Sequence, residues 1–301
     1  MPHAPQVELC PGGPRLSRVV AGAWRMDSWG WTPQQRLHWI EQCLELGVTS
    51  FDHADIYGGY TVEGLFGEAL ALAPQLRERM QLVSKCGIQL VAPARPQHRL
   101  KAYDTSAGHI VASVEHSLRK LGTDRLDLLL IHRPDPLMDA DEVARAFEDL
   151  RRAGKVLHFG VSNFTPAQFA LLASRTPLVT NQVEWSPLQM SALHDGTLDQ
   201  AQQLRCRPML WSPLAGGRLF SGQDADTARV RDCLEAVAAR WHCPVATVVY
   251  AWLLRHPSQP LPIVGSSRID ALREAVQALE RPMDRPTWHE IWSAAAGREV
   301  P

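Results

Sequence analysis

Short apolar runs alternate with amphipathic stretches along almost the whole chain. Arg18–Trp24 is the first run, and it leads to a helical pattern over Pro33–Leu46, with proline at its start and Gly47 at its stop. Val48–Phe51 precedes a helix from about Thr61 to Leu72. Gln81–Ser84 leads, after a long connection, to a helix over Ala107–Leu121. The pairing continues with Leu126–Ile131 before Asp139–Ala153, Val156–Val161 before Pro166–Ala173, and Leu178–Val183 before a helix near Leu198–Leu204. Pro208–Trp211 then precedes helical segments within Thr227–Ala239 and Pro244–Leu254, and Pro262–Val264 precedes Arg268–Leu279. These make eight β-then-α units. The strand candidates lack clean polar alternation, as strands covered on both faces should. Such a series predicts a parallel sheet, and eight units is the number that closes a (β/α)8 TIM barrel. An open doubly wound sheet is the structural competitor, but no G-x-G-x-x-G follows the first strand and no P-loop occurs. The α/β barrel, as a single domain over 1–301, is the architecture expected.

The connection from Cys86 to Ser106 contains Pro93 and Pro96 and carries no periodic pattern. It exceeds ordinary loop lengths and is expected to be a structureless functional loop over the active-site face of the barrel. Hydrophobic residues make up 45% and charged residues 21% of the chain, which excludes a disordered protein. The formal net charge of −1 offers no footprint for nucleic acid or an anionic membrane. The mid-chain apolar stretch Leu128–Ile131 is far too short to span a bilayer. Cys10, Cys43, Cys86, Cys206, Cys233 and Cys243 form no CxxC pair and no metal-like spacing with histidine. They are expected as buried thiols in a reducing compartment. Met1–Val20 holds four prolines and no apolar run, so no secretory signal is read and a cytoplasmic location is expected.

In a barrel, chemistry gathers at the C-terminal ends of the strands. Here those ends are polar. Phe51 is followed by Asp52, His53, Ala54, Asp55, Ile56 and Tyr57; Ser84 by Lys85; Ile131 by His132; Val161 by Ser162 and Asn163; Asn181 by Gln182; and Leu210 by Trp211 and Ser212. Strand periodicity puts Leu128, Leu130 and His132 on one face, so if the leucines fill the barrel, His132 stands at its mouth. The same count pairs Val83 with Lys85 and Ser50 with Asp52. An interior lysine is costly without a partner, and Asp52 is the candidate. Singly, each has an ordinary explanation: a solvated lysine, a satisfied core histidine, a packed tyrosine, an aspartate cap. Four together at neighbouring strand ends are harder to explain by folding alone. Trp24, Trp29, Trp31, Tyr57 and Trp185 are candidates for an aromatic substrate wall, and each could equally be a core residue.

These segments resemble the aldo-keto reductase family. Phe51–Gly58 (FDHADIYG), with Glu63 and Gly67–Leu70 behind it, is similar to the family signature. Ser84-Lys85, Leu126–His132, Gly160–Asn163, Asn181-Gln182, Trp211–Leu214 and Pro262–Arg268 continue it in the family's order. Ile131–Ala140 and Phe159–Phe169 resemble, within the family, the bacterial YdhF-type oxidoreductases. The resemblance runs from about Val19 to Leu279. It implies an NADPH-dependent oxidoreductase reducing an aldehyde or ketone, with a small-molecule carbonyl substrate. Asp52, Tyr57, Lys85 and His132 would be its catalytic set, Lys85 lowering the pKa of the Tyr57 phenol so that it can give up a proton. Ser162, Asn163, Gln182 and Trp211 would hold the nicotinamide end of the cofactor, and Gly22 and Trp24 would also contact the cofactor. Ser212, Leu214, Gly216, Gly217 and Arg218, with Gly265, Ser266, Arg268 and Glu274, would hold the phosphates and adenosine. Arg268 would select the 2′-phosphate of NADPH, with Arg273 in reserve. The chain departs from many relatives in carrying Ala275 after Glu274, where they carry asparagine. A metal-dependent hydrolase built on Asp52, His53, Asp55 and His132 is a rival reading, as is a cofactor-binding regulatory module. The sequence names no oligomeric partner.

Overall fold

The protein is described here by a computed structural model covering residues 3–300. A short antiparallel hairpin, β1 (Gln6–Glu8) and β2 (Arg15–Ser17), opens the chain. The strands β3 (Val20–Gly22), β4 (Ser50–Asp52) and β5 (Gln81–Cys86) follow, and then a second small hairpin, β6 (Ile88–Gln89) with β7 (Ala102–Tyr103). The remaining strands are β8 (Leu126–Ile131), β9 (Val156–Ser162), β10 (Asn181–Glu184), β11 (Met209–Trp211) and β12 (Leu261–Val264). Apart from the two hairpins, all are parallel neighbours in chain order, and Ile263 and Val264 pair with Val20 and Ala21 to close the barrel.

Twelve α-helices accompany them among the described residues: α1 (Pro33–Glu45), α2 (Val62–Leu70), α3 (Ala107–Leu121), α4 (Ala140–Arg152), α5 (Pro166–Ala173), α6 (Ser191–His194), α7 (Thr197–Leu204), α8 (Arg218–Ser221), α9 (Ala225–Trp241), α10 (Val245–Leu254), α11 (Ile269–Gln277) and α12 (Arg285–Ala296). Their starts follow local chemistry. Thr32 and Thr165 close capping boxes with Gln35 and Gln168, each ahead of a proline at the first helical position. Ser106, Asp139, Asp224 and Asp284 cap α3, α4, α9 and α12 through side-chain oxygens. Gly67 lets α2 lie against the end of α3, since a Cβ there would stand 2.0 Å from the Lys120 carbonyl oxygen. No helix among the described residues is long and apolar enough to cross a membrane.

Two apolar clusters divide the work. The larger lies between the strands and the helices. The smaller fills the barrel and contains Val20, Val83, Leu128, Leu130, Met209 and Leu261, so the face that period-two counting gave to Leu128 and Leu130 is the interior one. Leu9 and Leu16 of the hairpin complete this cluster from below, at the N-terminal ends of the strands. The buried Arg18 guanidinium donates to the Gln259 and Pro260 carbonyls on the same floor.

Several expectations are corrected. The 86–106 connection is not structureless: β6 and β7 pair within it, and Tyr60 Oη accepts from the Leu90 N–H at 2.8 Å. The regular strand expected from Leu178 begins at Asn181. Hairpin β1–β2 and helix α12 were not anticipated. Only Cys43 and Cys86 are buried; the other four cysteines are partly exposed.

Candidate active site

The C-terminal ends of the strands open into a cavity of about 780 Å³. Lys85 lies beneath its floor, fully enclosed at 1% exposure. All three hydrogens of its ammonium have acceptors: Asp52 Oδ2 at 2.8 Å, the His53 carbonyl at 2.7 Å and Tyr57 Oη at 3.0 Å. Asp52 is bound on its other side too, its Oδ1 accepting from Gln182 Nε2 at 2.8 Å. The network continues outward. Ser162 Oγ donates to the Gln182 carbonyl at 2.9 Å, Asn163 Nδ2 to Ser162 Oγ at 2.7 Å, and Trp211 Nε1 to Asn163 Oδ1 at 3.0 Å. A hydrogen-bonded path thus runs from the Trp211 indole to the Tyr57 phenol. Asn163 holds its place in it with φ of 62°, a left-handed conformation that asparagine tolerates better than most residues.

Burial disfavours the charge on Lys85, but Asp52 and Tyr57 outweigh it and hold the pKa above the ordinary lysine value. Burial also dominates at Tyr57 and raises its pKa, against the pull of Lys85. This corrects the expectation that the lysine would leave a lowered phenol: Tyr57 is protonated at neutral pH, with a cation waiting beside it. His132 is kept neutral, its pKa well below the usual histidine range, by burial and then by Lys85, Arg133 and Lys101. Its Nδ1 is enclosed without a hydrogen-bond partner among the described residues, which leaves Nε2 as the ring nitrogen open to the cavity. The His132 and Tyr57 rings meet edge-on with centroids 6.0 Å apart.

The structure brings together most of the residues named from sequence. Asp52, Tyr57 and His132 line the cavity, as do Gly22, Trp24, Ser162, Asn163, Gln182 and Trp211. Ser212, Leu214, Gly216, Gly217, Gly265, Ser266 and Arg268 line it too. Arg218 and Glu274 do not reach the wall, and Arg273 is held by Asp270 in an ion pair. Trp29 packs against both Trp31 and Trp39, Trp185 is fully buried against Trp252, and none of Trp29, Trp31 and Trp185 lines the cavity, so these three form no substrate wall. Sequence reasoning missed Arg133, whose guanidinium lies 5.4 Å from the Trp211 ring centre, and Lys101, Ile88 and Leu90 from the β6–β7 segment. Arg133 directly follows His132, a proximity that could have flagged it.

The residues of the rival metal site do not converge. His53 turns away from the cavity onto Phe66, 4.6 Å between ring centres, and burial lowers its pKa to about 3. Asp55 points to Ser113, whose hydroxyl donates to it at 2.5 Å, and burial raises its pKa to about 7.

Residues 18–296 match the model of the aldo/keto reductase family. The chain is a member of the aldo-keto reductase family. It is 56% identical to the oxidoreductase YdhF of Escherichia coli over 98% of this chain and 99% of that one. It is 46% identical to a 6-dehydroglucose reductase of Agrobacterium fabrum, over 95% and 96%. In fold it is similar to a glycerol dehydrogenase from Gluconobacter oxydans, with a TM-score of 0.85 at 22% identity over 98% and 97% of the two chains. As an aldo-keto reductase the protein is an oxidoreductase, in a family whose general activity is nicotinamide-dependent carbonyl reduction.

Proposed function

We propose that this aldo-keto reductase converts an aldehyde or ketone to the alcohol with NADPH, Tyr57 giving the proton. The observation that carries the reading is the 3.0 Å contact between Lys85 Nζ and Tyr57 Oη on the cavity floor. The bound cofactor would supply the hydride, a chemistry that side chains do not offer. The cavity suits such a ligand. Trp211 presents a flat ring, and Ser162, Asn163 and Gln182 present hydroxyl and amide groups beside it. A Cβ on Gly217 or Gly265 would meet nothing within 4 Å, so the main chain there is open to a pyrophosphate. The start of α11 offers unpaired N–H groups, and Arg268 next to it makes no ion pair among the described residues.

Tyr57 is poised as a donor because burial keeps its proton on at neutral pH. The alkoxide formed from a carbonyl is far more basic than a phenolate, so the proton moves downhill from Tyr57. Lys85 then faces the new phenolate and stabilises it, while Asp52 and the His53 carbonyl keep the ammonium aimed. His132, neutral, offers its cavity-side nitrogen to orient the carbonyl oxygen. Trp24, Ile56, Ile88 and Leu90 with Lys101 and Arg133 give the mouth a mixed apolar and cationic character. The test is loss of NADPH absorbance across a panel of carbonyls that includes a sugar aldehyde, the substrate class named for the Agrobacterium relative. Turnover of at least one member supports the reading; cofactor binding with no turnover of any reactive carbonyl overturns it.

A further inference from the structure

The floor of the barrel joins two cysteines that lie far apart in the chain. The Arg207 N–H donates to the Leu9 carbonyl at 2.7 Å, and Arg207 Nε donates to the Glu8 carbonyl at 2.8 Å. The Leu9 carbonyl carbon is bonded to the Cys10 nitrogen, and the Arg207 nitrogen to the Cys206 carbonyl carbon. The two hydrogen-bonded peptide units are therefore the ones that carry Cys10 and Cys206. Backbone pairing of this kind sets flanking Cα atoms about 5 Å apart, inside the roughly 4.4–6.8 Å that a disulfide spans. In the reduced form the Cys206 thiol donates to the Leu204 carbonyl at 3.6 Å, and closing the link means turning it onto Cys10. Both cysteines are partly exposed, whereas Cys43 and Cys86 are sealed in the core.

We propose that Cys10 and Cys206 form a reversible dithiol–disulfide pair that fastens the N-terminal hairpin to the floor of the barrel. Cys10 is the readier thiolate: its neighbour Cys206 lowers its pKa against the opposing effects of burial and Glu8. Cys10, with burial, raises that of Cys206. The oxidant in this scheme is a low-molecular-weight disulfide such as oxidised glutathione. Cys10 thiolate attacks one glutathione sulfur, forms a mixed disulfide and releases one glutathione thiolate. Cys206 loses its proton to solvent, attacks Cys10 Sγ and releases the second. Two protein thiols lose two electrons, and one glutathione disulfide is reduced to two thiols. The link would enclose most of the barrel in one loop, at the end opposite Tyr57 and Lys85.

The test treats the full-length protein with oxidised glutathione and compares it with the reduced form. The expected product is a monomer that has lost two hydrogens and kept no glutathione, with one linked peptide pair containing Cys10 and Cys206. Its unfolding midpoint should rise by about 3 °C or more and return on reduction. Cys10→Ser and Cys206→Ser should each prevent the link, and Cys233→Ser should not. A lasting glutathione adduct, a link through another cysteine, a covalent dimer, or no oxidation at all would each overturn the proposal. The comparison of oxidised with reduced wild type does not depend on either variant folding.

Discussion

At the hairpin end of the barrel, Leu9 and Leu16 are completely buried against Val20, Leu128 and Met209. At the opposite end of the same interior, Lys85 and Asp52 are buried almost as deeply, at 1% and 3% exposure. The two ends meet water differently. The lower one is closed mostly with hydrocarbon, where burial lowers the free energy directly, and its buried cation, Arg18, rests on the Gln259 and Pro260 carbonyls with no carboxylate beside it. The upper one places an ion pair under the cavity floor, where desolvation opposes it and every hydrogen of the ammonium must find an acceptor. A barrel that needed only to fold could be filled with apolar residues to the top. The buried ion pair opening onto the cavity therefore marks the end selected for chemistry, and the leucines at the other mark the end selected for stability.

Breaking each end separately should give different symptoms. Lys85→Met keeps the side-chain length, removes the cation and leaves Asp52 with Gln182 alone. We expect it to cost about 3–5 kcal/mol of stability, and carbonyl reduction to fall by about 10²–10⁴-fold. Denaturant unfolding with parallel rate measurements checks both, and a variant near wild type in both would erase the distinction between the ends. Leu16→Ala cuts a fully buried side chain from the floor. It should cost about 2–5 kcal/mol in the same unfolding experiment. Its rate of carbonyl reduction, measured well below the unfolding temperature, should stay near that of wild type. A slowed reaction in a stable Leu16→Ala protein would show that the floor takes part in the chemistry.

The smallest expected effect lies at Arg268 on the cavity wall. Arg268→Ala should weaken NADPH binding by about tenfold, the loss of one charge-assisted contact. NADH binding should barely change. Equal losses for both cofactors would make Arg268 a general contact rather than a selector of the 2′-phosphate.

Legibility differed between the ends as well. Counting alternate residues grouped Leu128, Leu130 and His132 on one face and Val83 with Lys85, and the structure puts the apolar ones inside, His132 at the mouth and Lys85 just beneath it. That worked because side-chain direction along a strand is fixed by local geometry. The Gln182–Asp52 bond links positions 130 residues apart and leaves no local trace. The hairpin was hidden for a similar reason: Leu9 and Leu16 sit among prolines and glycines, and only the closed barrel gives them a surface to cover. Trp185 and Trp24 look alike in sequence, yet one is fully buried and the other 54% exposed. The net direction of the Tyr57 shift was misread because burial, which the sequence does not show, exceeds the visible effect of Lys85.

The central claim is that the Tyr57 hydroxyl delivers the proton. The most direct measurement is the rate of carbonyl reduction by Tyr57→Phe with NADPH, taken together with its cofactor affinity and its unfolding midpoint. Only one oxygen is removed, so affinity and midpoint should stay close to wild type, while the rate should fall by about 10²–10⁴-fold. A Tyr57→Phe protein that reduces its substrate at close to the wild-type rate would contradict the account.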